Sequence, residues 1–209
     1  MRETARVMVS ANDTGDASPD ERLAWRARVM ARLNRNPAEL DLREVLRPAA
    51  VLVPIVERAE PTVLLTLRTE HLPTHAGQIS FPGGRYHATD ATLTETALRE
   101  LEEEVGIERS AVDLAGYLDP YETLNSGFLI LPVVGFLRSD FQLRVNEQEV
   151  AEVFEAPLDF LVDAKNRGRM EAMRGGMMRE YDTIQFGTHT IWGATAAMIV
   201  NLAERLRGA

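Results

Sequence analysis

Arg99-Glu100-Leu101-Glu102-Glu103-Glu104-Val105-Gly106-Ile107 is the stretch on which the fold turns. Read as a helix with Glu100 at zero, it puts Glu103 at about 300° and Glu104 at about 40°. The three carboxylates therefore share one face. Ala97, Leu98, Leu101 and Val105 fall between about 60° and about 160°, a neighbouring face suited to packing on a sheet, while Glu102 points away at about 200°. Like charges at these spacings each cost about 0.2–0.5 kcal/mol. A hard divalent cation would turn that repulsion into ligation, and an all-oxygen donor set favours Mg²⁺ or Mn²⁺ over zinc. The same glutamates would also serve as a solvated acidic face, and the helix alone does not choose between the two readings.

Upstream stands Phe81-Pro82-Gly83-Gly84. Two glycines after a strand let backbone approach a ligand and turn sharply. The loop from Arg85 to Ala91 then reaches Thr92, a helix cap with Glu95 three residues on, and Gly106 supplies the stop. A Gly-Gly turn followed by three aligned carboxylates suits a polyphosphate held at a metal site.

Outward from this centre the chain alternates strands and helices. Ser18-Pro19-Asp20-Glu21 opens a helix running to about Asn34, with Ser18 as cap, Pro19 at the first position and Glu21 closing a capping box. Asp41 to Leu46 reads as a turn of helix. Ala49 to Val56, interrupted by Pro54, and Val63 to Leu67 read as a hairpin across Ala59-Glu60-Pro61. Ile79 to Phe81, Leu114 to Leu118 and Phe128 to Leu137 read as strands, and Val145 to Phe154 as a mixed strand. Pro157 to Val162 suggests a short helix, Asp163 to Gly176 a polar loop, and Tyr181 to Phe186 with His189 to Ile191 a late hairpin. A last helix runs from about Trp192 to Arg207, with Ala196, Ile199, Val200, Ala203 and Leu206 on its apolar side. The expected fold is α/β, a mixed sheet between helices. The expected organisation is a mobile tail over 1–17, then one domain over 18–209 with an N-terminal helical extension over 18–48.

Composition narrows the function classes. The 209 residues are 45% hydrophobic and 26% charged, ordinary for a globular chain. Cysteine is absent, so there is no disulfide framework, thiol nucleophile or cysteine zinc site. The net charge of −9 argues against a nucleic-acid partner, though a local metal can still admit an anionic small molecule. No apolar run is long enough for a membrane span, and the N-terminus lacks a signal peptide's apolar region, so a cytoplasmic location is expected. Lys165 is the only lysine, and no P-loop pattern occurs. Ser126 has no histidine and acid at informative spacing, which makes a serine hydrolase a poor fit.

The central stretch resembles the Nudix hydrolase family, whose box reads G-x5-E-x7-R-E-U-x-E-E-x-G-U with U a bulky apolar residue. Arg99-Glu100-Leu101, Glu103-Glu104 and Gly106-Ile107 match its second half at every specified position. The first half departs: fourteen residues, not thirteen, separate Gly84 from Arg99, and Asp90 stands six after Gly84 where the box has Glu. The role of the box's first acid is thus left open. The resemblance implies a Nudix-type α/β/α sandwich and metal ligation by Glu100, Glu103 and Glu104.

A narrower resemblance is to the coenzyme A pyrophosphatase branch, close to L-L-T-x-R-S-x-x-L-R-x-H-x-G-Q-V-x-F-P-G-G. Here stand Leu64-Leu65-Thr66-Leu67-Arg68-Thr69 and Leu72-Pro73-Thr74-His75-Ala76-Gly77-Gln78-Ile79-Ser80-Phe81-Pro82-Gly83-Gly84. Similar stretches follow at Ser126-Gly127-Phe128, Pro132 to Gly135, Glu149-Val150 and Ile191 to Ala196. Pro73 replaces a residue that is usually basic, so a phosphate held there in relatives would need another group in this chain. The resemblance implies a pyrophosphatase releasing 4′-phosphopantetheine and adenosine 3′,5′-bisphosphate, with Arg99 orienting a carboxylate and Glu100 or Glu149 as base. Arg68, His75, Gln78, Gly83 and Gly84 are its candidate substrate contacts. Each also has an ordinary structural reading: Arg68 as a surface ion pair, His75 as a loop residue, Gln78 as a backbone clamp, Glu149 as a solvated strand residue. Trp192 reads as packing, and His71, His87 and His189 form no ligand set. The alternatives are another substrate, such as ADP-ribose, a dinucleoside polyphosphate or a nucleoside triphosphate, or a non-hydrolytic nucleotide-binding module. The sequence does not set the oligomeric state, for which a homodimer is one option.

Overall fold

The computed structural model describes residues 6–8, 18–38, 47–123, 127–174 and 176–207. The expected turn of helix over 41–46 and Ser126 lie outside them. In chain order the elements are β1 (Arg6–Met8), α1 (Pro19–Met30), β2 (Arg47–Val56), β3 (Thr62–Arg68), β4 (Ile79–Ser80) and β5 (Gly83–Arg85). Then come α2 (Leu93–Val105), β6 (Val112–Tyr117), β7 (Tyr121–Glu122), β8 (Phe128–Leu137), β9 (Val150–Pro157) and α3 (Leu158–Val162). The chain closes with β10 (Arg167–Arg174), β11 (Met177–Phe186), β12 (His189–Trp192) and α4 (Gly193–Arg207).

The main sheet runs β1-β9-β3-β2-β8-β6, with β4, β5 and β7 attached to β3, β2 and β8. It is mixed: β2 lies parallel to β8 along its whole length and antiparallel to β3 and β5. Strand alternation divides its side chains between two cores. Ala50, Leu52, Leu64, Val133 and Val153 pack with Ala97, Leu101 and Val105 of α2 on one face. Val51, Val53, Ile55, Leu65, Val134 and Phe154 pack with α1, α3 and α4 on the other. This is the α/β/α arrangement.

Pro54 falls where its missing N–H matters least. β2 pairs with β5 through Ala49–Val51 and with β3 only at Ile55 and Val56, leaving Pro54 between the two partners. Beyond that short contact β3 turns to β9 and β4, so the chain from Arg68 to Gly84 is free to build a site at the end of the sheet.

The helix signals read as the residues suggested. Ser18 and Glu21 form the reciprocal capping box of α1, although α1 ends at Met30 rather than near Asn34. Thr92 caps α2 and Gly106 ends it in the left-handed conformation. Three expectations fail. The strand expected from Val145 begins only at Val150, because 145–149 form a turn packed on the end of α2. Arg6–Met8, read as part of a mobile tail, is a strand paired in parallel with Glu152–Phe154; the open edge of β9 is a template that accepts any extended segment. Asp163–Gly176, read as a polar loop, contains β10. It pairs residue for residue with β11 in a second sheet, β10-β11-β12, whose polar strands lack the alternation that marks a half-buried one.

Candidate active site

α2 carries the carboxylates to the end of the sheet beside the β4–β5 turn. Glu104 is 2% exposed at its side chain, Glu100 is largely buried, and Glu103 is 55% exposed. Glu104 Oε1 receives Nη1 of Arg68 at 3.4 Å, while its Oε2 is buried with no hydrogen-bond partner. Burial pushes Glu104 up to about 8; Arg68 pulls it down, the charges of Glu100 and Glu149 push it further up, and the Gly83 amide pulls it down. Burial also raises Glu100 against the opposing pull of Arg99, and Glu103 and Glu149 add to the rise. Glu149 thus belongs to the cluster, though it comes from a different segment. That segment is tied to α2 by Asn146 N–H on the Glu104 carbonyl at 2.9 Å and Arg144 N–H on the Val105 carbonyl at 2.8 Å. Asn146 Nδ2 donates to Glu149 Oε1 at 3.2 Å.

Arg99 organises the outer side. Its Nη1 donates to Glu100 Oε1 and to Glu103 Oε2, each at 2.8 Å. Its Nε and Nη2 grip the two oxygens of Asp90 at 3.0 and 3.1 Å, and Nη2 also reaches the Arg85 carbonyl. Asp90 is buried and further accepts from Thr96 Oγ1 at 2.9 Å and the His87 N–H at 3.1 Å. The Arg99 guanidinium holds its carboxyl well below the ordinary range. Asp90, standing where the box has Glu, is thus the acid that braces Arg99. The contact forms with one more loop residue between Gly84 and Arg99 than the box has.

The Gly-Gly turn has a different reason at each position. A Cβ on Gly83 would lie 2.6 Å from the Ala50 carbonyl oxygen and the Val51 Cα, so Gly83 is dictated by strand packing. A Cβ on Gly84 would lie 2.4 Å from Glu100 Oε1, so Gly84 makes room for the carboxylate.

The three glutamates predicted as metal ligands do not close on one point. Glu103 turns to Arg99, and among the described residues no three acidic or imidazole side chains stand ready to hold an ion together. Glu100 and Glu104 nonetheless fit a divalent cation. They are largely buried carboxylates raised by desolvation and by neighbouring carboxylates, and Glu104 keeps an orphaned oxygen inside the protein. Glu103 joins them only by leaving Arg99.

Arg68, His75 and Gln78 meet at a cavity of about 450 Å³ on the other side of Arg68. His75 Nδ1 and Gln78 Oε1 are 2.8 Å apart, and His75 holds a positive φ of 59°, a conformation that non-glycine residues rarely adopt. The Gln78 carbonyl accepts the Arg68 N–H at 3.0 Å, so Gln78 clamps backbone as well as lining the cavity. The other walls are Phe81, Tyr121, Phe128, Tyr181, Trp192 and Met198. Trp192 packs edge-on to Tyr181 at 5.9 Å and also faces the cavity. Reasoning from sequence missed Tyr121, Phe128 and Tyr181. Tyr181 and Trp192 share a face of the late hairpin, a signal available from register; Tyr121 had none. His189 stacks on Phe154 at 4.2 Å within the core, and no ligating role falls to it.

Comparison with known proteins gives the family and the fold. The NUDIX domain family model matches residues 46–174. A Yersinia enterocolitica protein named "Uncharacterized Nudix hydrolase NudL" is 45% identical over 158 residues, covering 76% of this chain and 80% of that one. Its Yersinia pestis namesake is 41% identical over 160 residues, covering 77% and 80%. A MutT/nudix family protein from Enterococcus faecalis has the same fold at TM-score 0.54 and 17% identity, covering 89% of this chain and 68% of that one. The carboxylate helix, its Asp90–Arg99 brace and the glycine turn thus sit inside a matched region spanning most of the chain, which belongs to the Nudix hydrolase family.

Proposed function

We propose that this Nudix hydrolase cleaves the pyrophosphate bond of coenzyme A and its derivatives, releasing 4′-phosphopantetheine and adenosine 3′,5′-bisphosphate in the cytoplasm. One observation carries the reading. The Arg68–Gly84 segment, which resembles the coenzyme A branch, walls both the carboxylate cluster and the aromatic cavity. A substrate with a pyrophosphate at its middle and a large group at each end fits such a site. Among the described residues no helix is long and apolar enough to cross a membrane.

Nudix hydrolases generally use divalent metal ions, and Glu100 and Glu104, with Glu103 released from Arg99, would hold one here. When bound, Mg²⁺ or Mn²⁺ neutralises charge on the pyrophosphate and acidifies water. Arg68 and the turn at Gly83-Gly84 position the phosphates. Water attacks one phosphorus in line, the bond from that phosphorus to the bridging oxygen breaks, and the water's proton passes to a carboxylate. Glu149 suits that transfer better than Glu100: Glu100 is pinned by Arg99, whereas Glu149 is half-buried beside the cluster with a neutral amide as its hydrogen-bond partner. Arg99 and Asp90 hold the geometry, a contribution of positioning rather than bond making.

The test is product identification. Coenzyme A incubated with the protein and Mg²⁺ or Mn²⁺ should yield the two named products, and excess chelator should stop the reaction. Intact coenzyme A after prolonged incubation with either ion would remove the proposal.

A further inference from the structure

Phe128, on the wall of the cavity, carries two guanidinium groups. Arg47 lies with its guanidinium carbon 4.7 Å from the ring centroid, and Arg85 with its own at 5.3 Å. Strand register brings them there. Arg47 pairs with Phe128 across β2 and β8, Ala49 pairs with Arg85 across β2 and β5, and residues two apart on a strand share a face. Both arginines are exposed, and among the described residues neither side chain has an ion-pair or hydrogen-bond partner. Arg68 differs, since Glu104 already answers its charge. Two cations gathered on one ring repel each other, a repulsion that a bound anion relieves. Arg85 follows directly on Gly84, the residue that makes room for Glu100.

We infer that Arg47 and Arg85, seated on Phe128, form a subsite for a phosphate monoester of the substrate, separate from the pyrophosphate being cleaved. On the coenzyme A reading, on which this assignment rests, that group is the ribose 3′-phosphate. A dianion lies between two forks that can each donate paired charge-assisted hydrogen bonds. The pair supplies the positive charge that Pro73, exposed on the loop before His75, does not.

Two measurements on the full-length chain test this. The first compares kcat/KM for coenzyme A and dephospho-coenzyme A in wild type and in the Arg47→Gln/Arg85→Gln double variant. Wild type should favour coenzyme A by about 10- to 100-fold, the scale of one or two charge-assisted contacts, and the double variant should bring the ratio to about one. Because the ratio is internal to one preparation, a change in active fraction does not move it. Arg47→Lys/Arg85→Lys, which keeps charge but loses the fork, should fall between. The second is calorimetric binding of adenosine 3′,5′-bisphosphate and of 5′-AMP, which needs no turnover and decides the matter even if coenzyme A proves not to be a substrate. Wild type should bind the bisphosphate more tightly, and the double variant should bind the two alike. Equal losses for both ligands would mean that the arginines grip a phosphate common to both and would overturn the assignment. So would a wild type blind to the 3′-phosphate, or a double variant that still prefers it.

Discussion

Asp90 holds Arg99 by both carboxylate oxygens, at 3.0 and 3.1 Å, and Arg99 in turn holds Glu100 and Glu103 at 2.8 Å each. An acid outside the carboxylate cluster is thus linked through Arg99 to two of its members. Asp90→Asn should lower kcat by about 10- to 100-fold, the cost of a small misplacement, with a smaller change in KM. It should also cost about 1–3 kcal/mol of stability at neutral pH. The sign with pH follows from the lowered carboxyl: the stabilisation is present above the unfolded value of 3.8 and is lost as pH falls through the lower folded value. Melting of wild type and variant should therefore converge in acid. A variant as stable and as active as wild type at neutral pH would remove Asp90 from the site's architecture.

Glu104→Gln keeps shape and removes charge from the buried end of the cluster. The expected loss is at least about 100-fold in kcat. Glu102, on the other side of the helix against Arg109, is the comparison, and Glu102→Gln should change little. Equal effects would mean the helical face does not organise the chemistry.

Without an ion, burial pushes Glu104 up to about 8. For such a raised acid, the stability contribution is full below the unfolded value of 4.5 and is lost as pH rises through the folded value. A divalent cation needs the ionised form and so competes with the proton. Added Mg²⁺ or Mn²⁺ should raise Tm more at about pH 8.5 than at about pH 6, and Glu104→Gln should flatten the difference. An ion-induced shift independent of pH in wild type would contradict ligation by Glu104.

The alignment of the three glutamates, both helix caps, the β8 strand and the late hairpin were legible before the structure, because each rests on local spacing. What was not legible depends on partners distant in sequence. β10 is a strand only because β11 lies beside it, and Arg6–Met8 only because β9 has an open edge. Counting residues from Gly84 leaves the role of the box's first acid open; only the folded loop shows Asp90 reaching Arg99. Tyr121, Phe128 and Tyr181 arrive at one cavity from three strands, which no single stretch announces. Glu103 shares the helical face yet bonds Arg99, since face geometry fixes a direction and not a side-chain torsion.

The two glycines should separate activity from stability. Gly84→Ala presses first on the Glu100 carboxylate rather than on backbone, so kcat should fall by about 100-fold with a smaller change in Tm than at Gly83. Gly83→Ala meets backbone and should chiefly destabilise the fold. The reverse pattern, measured by melting and steady-state kinetics, would show that Gly84 does not make room for a working carboxylate.

Trp192→Ala opens the cavity wall away from the carboxylates. KM for coenzyme A should rise by about tenfold while kcat is nearly kept. A selective loss of kcat would place Trp192 in the chemistry instead.

The central claim is best met by direct competition. Coenzyme A, ADP-ribose, NADH and a diadenosine polyphosphate at equal concentration, with one protein sample and Mn²⁺ or Mg²⁺, are followed by separating the products over time. Coenzyme A should disappear first, yielding 4′-phosphopantetheine and adenosine 3′,5′-bisphosphate in equal amounts. Prior consumption of ADP-ribose or the dinucleotide, with coenzyme A left intact, would contradict it.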